Sequence, residues 1–233
     1  MVVDQLRNSE HPEGLTNTQE ILSLKLFDVK AIKFGTFKLK LHDAHPEAPL
    51  SPIYIDLRVL RRFPKAKAAA VDAYWEIANP LRFDLLADVP TAATPLVASL
   101  SDRLGAGMVT PRTDSKGHGA GAKIDGLQES DRGKTVLLVD DLVTKADSKL
   151  EAASTLIQNG LVIKDVVVLV DRGQGGKEQL AENGLVLHSA ISMPQMLDFY
   201  TRIGQISITD RTRIDVGLTD LNDFLSSLNN NEY

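Results

Sequence analysis

The stretch LLVDDLVTKADSK, residues 137–149, decides the fold. Leu137, Leu138 and Val139 form a run with no polar alternation, which ends on two aspartates, Asp140 and Asp141. A strand apolar on both faces is buried on both faces, as in a parallel sheet covered by helices. The following SKLEAASTLIQNG (148–160) has helical spacing and an Asn-Gly stop. The same strand-then-helix rhythm extends outward in both directions. FDLLADV, AGMVTPR, VVVLVDR and LVLHSAIS read as further strands, and PLVASLSDRLG, GKEQLAENG and PQMLDFYTRIG as the helices between and after them. The fold class is therefore α/β, with a central parallel sheet flanked by helices.

Before this repeat lies a region of different character. TNTQEILSLKLFDVKAIKF (16–34) has apolar spacing suited to one helix. FGTFKLK (34–40) and PIYIDL (52–57) alternate like strands, with the proline-containing insertion 41–50 between them. PKAKAAAVDAYWEIAN (64–79) is a helix with proline in its first turn. Residues 1–15 are polar and expected to be flexible. The domain is expected over 16–228, with a small N-terminal hood from about 16 to 60. A last helix is read over DVGLTDLNDFLSSL (215–228), and 229–233 is expected to be a frayed tail.

Composition narrows the function. With 43% hydrophobic residues the chain can build a sizeable core. Its formal net charge of −5 argues against non-specific nucleic-acid binding. No run is long and apolar enough for a bilayer span, and no signal pattern opens the chain. The absence of cysteine removes disulfides, thiol nucleophiles and thiolate metal sites. A cytoplasmic protein is the expectation.

Two motif matches fail. GKT (133–135) lacks the earlier glycine of a phosphate loop, because Gln128 stands there, and it leads into a strand rather than a helix. GHGAGA (117–122) has no strand–turn–helix setting. It belongs instead to a long glycine-rich stretch, RTDSKGHGAGAKIDG (112–126), between two core strands, where such loops are commonly functional. His42 and His45, with Asp43, read as a solvated insertion rather than metal ligands, and His188 as a core histidine with a satisfied partner.

Open parallel sheets bind ligands outside the carboxyl ends of their strands. Asp88, Arg112, Asp140-Asp141 and Asp171-Arg172 all fall there. Adjacent acids point to opposite faces of a strand, so one can meet a ligand while the scaffold holds the other. Carboxylates accept hydrogen bonds from a diol and interact with ligand-borne Mg²⁺. A loop-to-helix turn presents N–H groups to phosphate. Together these suit a phosphorylated sugar, although solvated strand-end acids are the plainer reading of the pair alone.

FGTFKLK (34–40), SPIYIDLR (51–58), TVLLVDDLVT (135–144) and GLVIKDVVVLVDRGQGGKEQLAENGLVLHSAISM (160–193) resemble the orotate phosphoribosyltransferases, in order and with matching spacing from about residue 20 to 200. The resemblance implies a type I phosphoribosyltransferase fold and a homodimer. It implies transfer of phosphoribose from phosphoribosyl pyrophosphate, carrying Mg²⁺, to orotate, giving orotidine monophosphate and pyrophosphate in pyrimidine biosynthesis. In that family a mobile glycine-rich loop supplies cations to the departing pyrophosphate across the dimer, and Arg112, Lys116 and His118 match it. Asp140 and Asp141 match the acids at the ribose hydroxyls. Thr144, Lys145, Ala146, Asp147 and Ser148 match the turn at the 5′-phosphate. Lys40, Tyr54, Ile55, Thr144 and Arg172 match the orotate contacts.

Several matching positions depart from the family pattern. Ala146 and Asp147 replace a glycine and a hydroxyl residue. Asp88 and Thr91 stand where glycine and tyrosine are usual, and Thr113 replaces a lysine. A carboxylate about 4 Å from a phosphate charge costs roughly 4 kcal/mol at an effective dielectric near 20. Asp147 is expected to cap the helix after it and partly fill its own anion site, with Lys145 and Lys149 offsetting part of the charge. The expectation is weakened or lost transferase activity. The alternatives are a fully active enzyme with compensating changes, or a non-enzymatic relative binding a nucleotide, another small ligand or a protein partner.

Overall fold

A computed structural model describes residues 14–112 and 124–230, the side chains of 229 and 230 excepted. The main sheet has the order β5-β4-β3-β6-β7-β8, and a separate hairpin pairs β1 with β2. Strands β3 (Leu85–Asp88), β4 (Gly107–Pro111), β6 (Thr135–Val143), β7 (Val162–Asp171) and β8 (Val186–Ser192) run parallel. The two-residue β5 (Ile124–Asp125) joins antiparallel at the β4 edge. The class read from the sequence is therefore correct, with one short antiparallel addition at the far end of the glycine-rich stretch.

The double-sided strands have a direct structural cause. Leu137, Val139, Val167 and Leu169 pack on one face with α1 (Asn17–Asp28), α3 (Pro64–Ala78), α4 (Thr94–Leu104) and α7 (Met193–Arg202). Val136, Leu138, Val166 and Val168 pack on the other with α5 (Asp147–Gln158) and α6 (Gly176–Glu182). Alternate residues of one strand thus enter two cores, so both sets must be apolar.

The N-terminal reading needs correction. The helix expected over 16–34 ends at Asp28, and Ile32 opens β1 (Ile32–Phe37), paired antiparallel with β2 (Ser51–Ile55). Thr16 and Gln19 form a reciprocal capping box at the start of α1, and Lys30 takes a left-handed conformation at φ 57° that breaks the chain direction. Ile32 and Phe34 are also apolar at strand spacing, and the cross-strand partners Ile55 and Ile53 decide between the two periods.

The insertion carries a short helix, α2 (Leu41–Ala44), and buries His42, whose Nδ1 lies 2.9 Å from the Leu39 amide nitrogen. His42 is thus buried, not solvated as the sequence suggests. His188 is half-buried and pairs with Asp165 at 2.8 Å. The last helix, α8 (Ile208–Asn230), starts earlier than Asp215 because Ser207 caps it, accepting from the Asp210 amide at 3.0 Å. It lies on β2, where Gly217 packs on Pro52. Among the described residues, no helix is long and apolar enough to cross a membrane.

Candidate functional site

The crevice forms where the sheet reverses its strand order, between β3 and β6. Strand β3 ends at Asp88, paired with Val139, and Val89 makes the last hydrogen bond to that residue. Strand β6 continues to Val143 on its β7 side alone. Asp140 and Asp141 are therefore not past the end of a strand. They are the first residues of β6 with one open edge, at the switch point where α/β sheets bind ligands.

The two acids have different surroundings. Asp140, 5% exposed, lies on the α5 face of the sheet. One of its oxygens pairs with the Lys149 ammonium at 2.6 Å, and the other accepts from the Asp141 amide at 2.8 Å. Lys149 also donates to the Leu142 carbonyl at 2.5 Å, and the buried Tyr74 hydroxyl donates to the Asp140 carbonyl at 2.7 Å. The Asp141 carboxyl lies against the Asp140 side chain and the Leu142 amide. Burial pushes its carboxyl up to about 7, the neighbouring Asp140 charge adds to the rise, and Lys149 opposes it. Asp140 is thus fixed by Lys149 and by the Asp141 amide.

Lys149 escaped the sequence reading as a structural partner. With Ala152, Ala153 and Leu156 it forms the buried stripe of α5. A lysine on an apolar stripe was the available signal, since a buried cation requires a partner. Its commitment to Asp140 also means that it does not offset Asp147.

The turn at 144–148 differs from expectation in three ways. Ala146 has φ −96°, so the position does not require glycine's access to positive φ. Ala146, not Asp147, is the N-cap residue of α5, which therefore has no side-chain cap. The Asp147 side chain instead accepts from Gln179 Nε2 at 2.7 Å, while Gln179 Oε1 accepts from the Ala146 amide at 2.7 Å. Gln179 sits on α6, which is pressed against the turn: a Cβ built on Gly176 would lie 2.8 Å from the Thr144 carbonyl.

Asp88 also has a structural role. It is fully buried, and its oxygens accept from the hydroxyls of Thr94 and of Thr110, the latter at 2.6 Å. It ties β3 to β4 and to the start of α4 instead of facing an anion. Thr91 follows a cis Pro90–Thr91 peptide, and its carbonyl accepts from Arg61. Arg112 pairs loosely with Asp125 at 3.4 Å and lines a small cleft with Pro90, Ser148 and Glu151. The structure therefore brings Arg112 to the turn that contains Ser148. Thr113, Lys116 and His118 lie outside the described residues.

At the end of β7, Arg172 is 6% exposed and its amide is held by the Val143 carbonyl at 3.0 Å. Its guanidinium reaches Ser51 at 3.4 Å, its Nε has no hydrogen-bond partner, and no carboxylate pairs with it among the described residues. Burial lowers its pKa. Ser51 begins β2, the strand that holds the half-buried Tyr54 and the buried Ile55. Lys40 is exposed at the start of α2 and makes no ion pair among the described residues. Gln174, two residues beyond Arg172, donates to Asn222 of α8 at 2.8 Å and so links the last helix to this loop.

Among the described residues, no group of three histidines or acids is arranged to hold a metal.

No family model matches the chain. It is 35% identical over 175 residues to an orotate phosphoribosyltransferase of Caenorhabditis elegans, which covers 74% of each chain. Its fold matches the orotate phosphoribosyltransferase of Aeropyrum pernix with a TM-score of 0.68 at 29% identity, over 80% of this chain and 99% of that one. It matches the UMP synthase of Leishmania donovani with a TM-score of 0.74 at 29% identity, covering 90% of this chain and 42% of that longer one. With this crevice, fold and extent of identity, the chain belongs to the orotate phosphoribosyltransferase family.

Proposed function

We propose that the protein is a working orotate phosphoribosyltransferase. The observation that carries this reading is Arg172, a buried guanidinium with an unpartnered Nε and, among the described residues, no carboxylate paired with it. A buried cation without a counter-ion is costly, and a planar carboxylate on the substrate would complete it. Three of the five departures that suggested lost activity have local explanations. Asp88 is consumed by two threonines, Asp147 is held by Gln179, and Ala146 sits in an ordinary backbone conformation.

In this reading Arg172 orients orotate by its carboxylate, beside the backbone of Tyr54 and Ile55. Asp141 accepts from the ribose hydroxyls, and the turn 144–148, apart from the Ala146 amide that donates to Gln179, receives the 5′-phosphate. Orotate's ring nitrogen loses its proton to solvent and forms the new bond to C1 of the ribose as the C1–oxygen bond breaks, and pyrophosphate leaves with the electron pair. Mg²⁺, if carried by the substrate, would supply positive charge at the diphosphate. Arg112, near the ends of β3 and β4, is placed to support the departing group, with Lys116 and His118 assigned to the same task by the family resemblance. A homodimer is the assembly that the resemblance implies, and the proposal includes it. The reading is tested by titrating the protein with orotate in the presence of pyrophosphate: saturable binding that Arg172→Met abolishes supports it. Binding unaffected by that change would remove its basis.

A further inference from the structure

We propose that Gln179 is a positioning residue that holds the Asp147 carboxylate away from the phosphate turn, and so makes an acid tolerable there. The inference rests on the phosphoribosyl-substrate reading above.

The geometry is reciprocal. Gln179 Oε1 accepts from the Ala146 amide at 2.7 Å, and Gln179 Nε2 donates to Asp147 Oδ1 at 2.7 Å. The first bond fixes the second, because an oxygen must face the N–H, leaving the NH₂ for the carboxylate. Gln179 is itself well seated. Its amide donates to the Gly175 carbonyl at 3.0 Å, and its carbonyl accepts from Asn183 at 2.9 Å. The start of α6 cannot draw back independently of the turn, because Gly176 lies against Val143 and the Thr144 carbonyl.

Without this tether, the nearest attraction for Asp147 is the amino end of its own helix. First-turn amides of a helix have no intrahelical acceptor, and a carboxylate in that turn is drawn to them. An acid seated there would repel a phosphate. Gln179 supplies a competing donor on the opposite side, and the family-atypical Asp147 is thereby converted from a blocker into part of the wall.

Gln179→Glu separates the two bonds. A glutamate still accepts from the Ala146 amide but repels Asp147. We expect it to weaken binding of ribose 5-phosphate, measured by calorimetry, about tenfold, the scale of one carboxylate at a helix amino end. In an Asp147→Ser background the same change should alter binding less than about twofold, because the residue it acts through is gone. Equal weakening in both backgrounds, no change in either, or tighter binding by Gln179→Glu would overturn the proposal. Tighter binding would mean that Gln179 occupies the phosphate's own place. If neither the unmodified protein nor any variant binds ribose 5-phosphate, the phosphoribosyl reading fails and this inference with it. Amide exchange gives an independent check: Gln179→Leu should expose the Ala146 amide and Gln179→Glu should leave it protected. Unchanged protection in Gln179→Leu would also overturn the proposal.

Discussion

Replacing Lys149 with methionine is the most informative perturbation of the site's foundation. Methionine keeps the length and apolar stem that fill the buried stripe of α5. It removes the ammonium that lies 2.6 Å from Asp140 and 2.5 Å from the Leu142 carbonyl. The two side chains of the pair are 6% and 7% exposed, so solvent cannot replace the lost partner. Breaking a buried pair while leaving its other charge in place costs about 3–5 kcal/mol. For a chain of this size each kcal/mol shifts the melting temperature by roughly 2–4 °C, so a fall of roughly 6–20 °C is expected. Urea denaturation of Lys149→Met, Asp140→Asn and the double variant measures the coupling. The double variant should recover at least about half of the Lys149→Met loss, because the stranded charge is gone. A Lys149→Met loss below about 1 kcal/mol, the level of an exposed pair, would refute the claim that this ion pair is buried and structural.

Four further outcomes follow from the same contacts. An ionised Asp141 accepts from a diol, so ribose 5-phosphate affinity should rise as pH rises through about 7, and Asp141→Asn should remove that rise. The sign for stability is opposite. The folded protein holds this proton where the unfolded chain has lost it, so Asp141's contribution falls between about pH 4 and 7 and is constant above; denaturation of Asp141→Asn across that range checks it. Asp88→Ala strands two threonine hydroxyls and should cost about 1–3 kcal/mol without tightening pyrophosphate binding. Tighter binding by that variant would restore the view of Asp88 as an acid in an anion site. Gly176→Ala would place a Cβ 2.4 Å from Val143 and 2.8 Å from the Thr144 carbonyl, and should lose about 1–3 kcal/mol by denaturation.

The parts of the molecule legible in its sequence were those fixed by local pattern. The two-faced apolar strands could only belong to a covered parallel sheet, and the placement of Asp140, Asp141 and Arg172 at its carboxyl edge followed. What could not be read was where side chains turn after they arrive. Asp88, Asp147 and Lys149 were judged by charge and sequence distance, as though each faced the ligand. In the fold, Asp88 meets Thr94 and Thr110, Asp147 meets Gln179, and Lys149 meets Asp140. Gln179 is 32 residues from Asp147, and no local rule connects them. The α1–β1 boundary failed for a related reason: residues 29–34 satisfy both periods, and only the pairing with β2 selects the strand.

The central claim is that a chain with acids at its expected anion positions still performs the family's transfer, because those acids are held by the scaffold. The direct measurement follows the loss of orotate absorbance on mixing the purified protein with orotate, phosphoribosyl pyrophosphate and Mg²⁺, with product identified chromatographically. The account predicts sustained formation of orotidine monophosphate and equimolar pyrophosphate. Absence of turnover in the unmodified protein, with activity gained by Asp147→Ser together with Ala146→Gly, would contradict it and show that the acid does block the site.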